Sequence, residues 1–310
     1  MAPPQTPIDA AEAAFVERLA RHVRPHASDV IFIGEGSNNR VWRLGDTVVI
    51  KLGKPHRSGV AAREHAKETW CAAAARAAGA PTPEILSVGE FEGRSYQIQA
   101  FSPGREPAPE EQEGAWDAMG RWARAFHAAP VVGWGPELVG QGVFGGDWAA
   151  HLAYNIEALV PDDPLLGLGL LDADASADLR RRFRRLAGKR FRFGLSHGDL
   201  AMPNVLADPA TGEALALIDW GCAGAFPVPH YDLGEMIRAG RADSRQIDIF
   251  RRAYGLSDEE FAEVMADLPD LGALRDIDTL RWALAHAPDA LERYIGHAKR
   301  ALARLGYSGP

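Results

Sequence analysis

Residues 195–220, LSHGDLAMPNVLADPATGEALALIDW, constrain the fold more than any other part of the chain. Two short apolar runs, 205–207 and 215–218, flank DPATGE, whose Asp, Pro and Gly are turn formers, so the segment is expected to close as an antiparallel hairpin. Closure returns Asn204 and Asp219 to the same end, with His197 and Asp199 just upstream. An amide oxygen beside a carboxylate suits magnesium, which takes few protein oxygens and completes its shell with water and substrate phosphates. Each residue alone also fits a cap or a turn. The combination of HGDLxxxN, an apolar strand and IDW fixes several residue types at linked spacings, and it points to phosphoryl transfer.

The rest of the chain changes character around residue 100. Residues 8–23 space Phe15, Leu19 and Val23 as one face of a helix, with Asp9 near its start. VIFIG, VWRL and TVVIKL, separated by EGSNN and GD, read as strands of a small antiparallel sheet. Residues 61–79 are strong helix formers ended by Gly79 and Pro81, and 84–89 and 94–100 read as two more strands. SPGREPAP, residues 102–109, has no apolar periodicity and reads as an interlobe hinge. Helical patterns then fill 116–128, 148–159, 177–186, 231–239, 244–254, 258–268 and 276–305. The expected fold class is α+β and bilobal. Residues 1–101 form a nucleotide-binding lobe, 102–109 the hinge and 110–310 a catalytic and acceptor-binding lobe.

At 310 residues and 46% hydrophobic content, the chain can bury one large core or two moderate ones. A net charge of -8 disfavours nucleic acid as a partner. The basic run RRRFRRLAGKRFR, 180–192, reads instead as an exposed helix face with Phe183, Leu186 and Phe191 turned inward. Cys71 and Cys222 form neither a disulfide framework nor a CxxC pair, and no stretch reads as a secretion signal or a membrane span. The expected compartment is the cytoplasm, and the expected assembly a monomer or homodimer.

HGDxxxxN followed by IDW resembles the catalytic loop and metal strand of the aminoglycoside phosphotransferase and choline kinase superfamily, over residues 34–240. The resemblance implies a protein-kinase-like fold, ATP or GTP as phosphate donor, and Mg2+. It makes Asp199 the catalytic aspartate facing the acceptor hydroxyl, Asn204 and Asp219 the metal ligands, and His197 mainly a residue that orders the loop. Lys51, in TVVIKL, would meet the phosphates. Its acidic partner would come from REHAKETW, where Glu68 fits the helix length better than Glu64. IGEGSNNRVW resembles the nucleotide loop, with Gly36, Ser37 and Asn38 at its tip, and IQAFSPG the hinge, where backbone at Ala100 and Ser102 would meet the base edge. Asp232 in HYDLGEM resembles the aspartate that braces the catalytic loop. No DFG motif or APE-ended segment is present, so a small acceptor is expected over a protein.

Acceptor class follows less directly. Residues 107–179 hold twelve acidic residues against Arg121 and Arg124, which suggests a polycationic acceptor such as an aminoglycoside, with Asp162 and Asp163 as contacts; a solvated acidic face is the alternative. Trp134, Phe144 and Trp148 can form an apolar or cation-binding wall, or be core. A macrolide, choline, homoserine, a methylthiosugar or a fructosamine would use the same phosphate machinery. A nucleotide-binding regulatory module without turnover is the reading from another class.

Overall fold

The computed structural model describes residues 10–24, 29–36 and 38–307. The expectations at Ile8, Asp9 and Ser37 lie outside them. Helix α1, Ala10–Val23, covers one face of a five-stranded antiparallel sheet, in the order β1 (Val30–Glu35), β2 (Asn39–Leu44), β3 (Val48–Gly53), β5 (Arg94–Ala100), β4 (Ile85–Phe91). Alternation along β3 decides which side chain goes where. Val48, Ile50 and Leu52 join Phe15, Val16 and Leu19 of α1 in one core, and Lys51 projects from the opposite face. That face meets α2, Ser58–Ala77, so closely that a Cβ on Gly53 would lie 2.8 Å from the Ala61 Cβ.

Helix α2 shares its core with the helical part of the chain: Cys71, Ala72 and Ala75 pack with Trp116, Met119, Phe126, Leu217 and Trp220. Alanine and cysteine are what a helix needs for so close an approach. The segment after β5 is no free tether. Arg105 exchanges backbone hydrogen bonds with Ala207, donating at 3.1 Å and accepting at 2.7 Å, and its guanidinium forks onto Glu111.

Beyond it, α3 (Gln112–Phe126) packs on α8 (Ser244–Tyr254), which coincides with its expected limits. A second four-stranded sheet, in the order β7 (Val143–Gly146), β6 (Trp134–Gly140), β11 (Gly224–Pro227), β8 (Phe193–Ser196), lies behind the catalytic loop. Strands β6, β7 and β11 were not expected, because glycines and prolines interrupt their alternation. Helices α4 (Trp148–Glu157), α5 (Pro164–Gly167) and α6 (Ala173–Ala187) follow β7. The hairpin forms as expected: β9, Val205–Ala207, pairs with β10, Ala214–Leu217.

After β11 comes α7, His230–Arg238. The expected helices at 258–268 and 276–305 are divided differently: α9 runs from Asp258 to His286 through Pro269, and the break falls at Pro288, before α10, Leu291–Arg304. Pro269 removes one intrahelical bond, the one to the Met265 carbonyl, and both residues line a cavity. No helix among the described residues is long and apolar enough to cross a membrane.

Much of the basic run and part of the acidic surplus are paired off, mostly with partners elsewhere in the chain. Arg181 and Arg182 of α6 bind Asp178, Arg182 and Arg185 reach Asp270, and Lys189 reaches Asp267. Asp147 and Asp172 cap α4 and α6, and Asp117 pairs with Arg121. Asp163 is 3% exposed; it caps α5 and receives Arg281 at 2.7 Å. A carboxylate so enclosed holds the fold together, which corrects the expectation that Asp163 contacts an acceptor. Its neighbour Asp162 is exposed and unpaired among the described residues. Removing the guanidinium leaves a buried, uncompensated charge, so Arg281→Met is expected to cost about 3–5 kcal/mol. Urea unfolding of the two proteins checks this, and a loss below 1 kcal/mol would contradict it.

Candidate active site

The hairpin does the positioning. Ile218 donates its N–H to the Asn204 carbonyl at 2.9 Å, so Asn204 and Asp219 leave the paired strands at one end. The Asn204 side-chain N–H donates to the Asp199 carbonyl at 2.7 Å and to its Oδ2 at 3.0 Å. Both partners are acceptors, which fixes the amide orientation and turns Oδ1 away, unpartnered among the described residues. Asp219 sits in the left-handed region at φ 66°, a conformation that costs an L-residue roughly 1 kcal/mol and that aspartate tolerates better than most. Its carboxylate is half exposed, takes an N–H from Gly221, and is held below the usual range by the Lys51 charge.

Lys51 donates to Glu68 at 2.6 Å and to Asp219 at 3.2 Å. Burial works against its ammonium, but the two carboxylates overcome that and hold its pKa above the ordinary lysine range. Glu68, 2% exposed, also accepts the Trp220 N–H at 3.3 Å, so one carboxylate joins the sheet, α2 and the residue after Asp219. Glu64 is engaged elsewhere, by Asn38 at 2.6 Å, which settles the choice of partner for Lys51.

The catalytic loop is held from behind by α7. Asp232, fully buried, accepts the N–H groups of His197 at 3.1 Å and Gly198 at 2.7 Å, and His127 Nε2–H at 2.8 Å. Burial would raise its pKa, but these donors bring it below the usual carboxylate range. His197 is buried; its Nε2–H reaches the Ile218 carbonyl at 3.0 Å, while Nδ1 accepts the Asp199 N–H at 3.2 Å. The two bonds join the loop to the end of β10, and the Nε2–H donor and Nδ1 acceptor belong to one tautomer. Gly198, at φ 76°, passes so near Cys222 that a Cβ would lie 2.4 Å from its carbonyl oxygen. Arg241, absent from the sequence reading, forms a close ion pair with Asp199 Oδ1.

Of the other expected residues, Gly36 donates its N–H to the Asn39 carbonyl at 2.9 Å and the Asn38 carbonyl accepts from Lys54 at 2.8 Å, which folds the β1–β2 turn over the sheet edge. The Ala100 N–H is taken by the Glu84 carbonyl at 2.8 Å and the Phe101 N–H by the Thr47 carbonyl at 2.9 Å, so of the backbone groups expected at a base edge these two amides are already engaged. The Ser102 N–H has no backbone partner among the described residues. Phe144 is core, whereas Trp134 and Trp148 line a cavity of 430 Å³ with His151, Phe226 and Tyr231.

A five-stranded sheet with a Lys–Glu pair, joined to a helical lobe carrying an Asp–Asn–Asp constellation, defines a protein-kinase-like phosphotransferase fold. The sequence profile of the phosphotransferase enzyme family matches residues 29–266, and the chain belongs to that family. Streptomycin 3''-kinase from Streptomyces griseus is 26% identical over 266 residues, covering 77% of this chain and 93% of that protein. Among solved structures, the GDP complex of aminoglycoside 2'-phosphotransferase-IIIa covers 94% of this chain and 98% of its own, with TM-score 0.69 and 16% identity. Aminoglycoside phosphotransferase APH(4)-Ia, in a ternary complex with ADP and hygromycin B, covers 94% and 99%, with TM-score 0.62 and 20% identity.

One buried histidine gives the nucleotide lobe an acid limit. His65 on α2 donates from Nε2 to Asn39 Oδ1 at 3.0 Å and accepts the Ser95 hydroxyl at Nδ1 at 2.9 Å. Burial, then the Lys51 charge, pulls its pKa down from 6.5 to about 4. Between these values the unfolded chain binds a proton that the native one refuses, so stability falls as pH drops from 6.5 to 4, by roughly 3 kcal/mol. Denaturant unfolding across this range is expected to show a shallower pH slope for His65→Gln than for the wild type. Equal slopes would contradict the assignment.

Proposed function

We propose that this chain transfers the γ-phosphate of a nucleoside triphosphate to a hydroxyl of a small molecule, with an aminoglycoside-type antibiotic as the first acceptor class. The observation that carries the reading is the convergence of Lys51, Glu68, Asp219, Asn204 and Asp199 at one end of the hairpin, with Asn204 Oδ1 left unpartnered. That oxygen and the half-exposed Asp219 carboxylate are a hard, two-ligand set, which fits a magnesium ion that draws its other ligands from phosphates and water. Bound there, magnesium supplies charge neutralisation on the triphosphate.

The chain's own residues do the rest. Lys51, fixed by Glu68, presents its ammonium to the phosphates, and the β1–β2 turn with Gly36 and Asn38 covers them. The Ser102 amide, and not that of Ala100, offers a donor to the base. Asp199 orients the acceptor hydroxyl, and its carboxylate takes the proton as the new O–P bond forms and the nucleoside diphosphate leaves with the electron pair. Residues 102–109 act as the hinge between the lobes, pinned to β9 at Arg105.

Relatives support the acceptor class: their names and complexes include streptomycin, kanamycin and hygromycin B, with GDP or ADP as nucleotide. The acidic surplus supports it less than the sequence suggested, because much of it is spent on caps and arginines. The aromatic cavity is lined by none of Lys51, Asp199, Asn204 and Asp219, so it does not bear on the acceptor.

Labelled ATP and GTP with magnesium, offered streptomycin, kanamycin, hygromycin B, a macrolide, choline and homoserine, test the reading. Transfer to at least one aminoglycoside is expected, and transfer to none of them would overturn that class. Asp199→Asn is expected to keep nucleotide affinity within about twofold and to lower kcat by on the order of a hundredfold or more. Asp219→Ala is expected to weaken magnesium–nucleotide binding as well, measured by calorimetry; equal loss of affinity in both variants would contradict these roles.

A further inference from the structure

Helix α7 reaches the catalytic loop twice. Its first turn supplies Asp232, which receives the His197 and Gly198 amides. Its far end closes with Gly240 at φ 63°, where the Arg241 N–H returns to the Met236 carbonyl at 2.9 Å and the Gly240 N–H to Ile237 at 3.2 Å. This pair of bonds is the Schellman arrangement, which needs a residue free to adopt the left-handed region and fixes the direction of the one that follows. That residue is Arg241, and its guanidinium lies on Asp199 Oδ1. With the Asn204 amide donating to Oδ2, each oxygen of the general base has its own partner, from a different element.

We propose that Arg241 is a positioning residue for the catalytic base: it holds the Asp199 carboxylate in the plane an incoming hydroxyl requires, and it acts on turnover only through Asp199. This rests on the phosphotransferase reading above. An aspartate at a loop end has two free torsions, and one donor on Oδ2 leaves the carboxylate free to rotate about that contact. A cation paired with Oδ1, rooted in a capped helix end, opposes the rotation. The guanidinium is about one-third exposed, so it can shift along the oxygen as the hydroxyl arrives. The sequence offered no sign of this, since Arg241 lies forty-two residues after Asp199 and outside the hairpin.

The test is a double-mutant cycle on phosphate transfer to streptomycin and on magnesium–ATP and magnesium–GTP hydrolysis, where water replaces the acceptor. Arg241→Ala is expected to lower kcat by on the order of tenfold in both assays with nucleotide KM unchanged, and Arg241→Lys to recover part of the loss. In the Asp199→Asn background, Arg241→Ala is expected to cause no further loss. Thermal unfolding of each variant separates loss of fold from loss of positioning; if the alanine variant unfolds early, Arg241→Gln takes its place in the cycle. Wild-type turnover with kcat unchanged in the Arg241 variants would overturn the inference alone, as would an equal factor lost with and without Asp199. A wild-type chain with neither transfer nor hydrolysis would overturn the underlying reading together with it.

Discussion

The site depends on one buried carboxylate. Glu68 receives the Lys51 ammonium from the sheet and the Trp220 amide from the segment that follows Asp219, so a single side chain holds the sheet and the hairpin end in register. A buried ion pair is not in itself a source of stability, because desolvation offsets much of the Coulomb energy. What it supplies is a fixed distance. Lys51 has few other directions available, with Val49 and Ile50 buried beside it and α2 pressed onto the sheet at Gly53.

The catalytic loop is built on the same plan of donors around a carboxylate, this time Asp232. Three hydrogen bonds converge on it from His127, His197 and Gly198, and His127 passes its other nitrogen to the Tyr254 hydroxyl. Burial lowers the pKa of His127, so the inner pair is a neutral imidazole against an ionised carboxylate. Such a satisfied network fixes the loop without placing a net positive charge behind the reacting groups.

The convergence of these polar side chains was legible in the sequence because it is local. Asn204, Asp219 and Asp199 belong to one hairpin and the loop that feeds it, and Lys51 lies on a strand with clear alternation. Contacts that depend on tertiary packing were not legible. The acidic surplus looked like a surface for a cation until Arg281 and Arg105 were seen on Asp163 and Glu111, and neither of those partners is a helical neighbour of the residue it neutralises. Strands β6, β7 and β11 were hidden by glycine and proline, and the expected gap between 268 and 276 is helix, because α9 continues through Pro269. The choice between Glu64 and Glu68 needed the register of α2 against β3, which side-chain geometry alone supplies.

Helix α2 belongs to two neighbours at once. Toward the sheet, Glu68 takes the Lys51 ammonium, Glu64 takes the Asn38 amide, and His65 is bonded to Asn39 and Ser95. Toward the helical part, its alanine face is continuous with Trp116, Phe126 and Trp220, the Pro81 carbonyl accepts the Leu217 N–H at 2.9 Å, and Thr82 accepts the Trp220 indole N–H at 3.1 Å. The helix therefore works as a rivet: neither the sheet nor the helical part can slide past it without breaking one of these two sets of bonds.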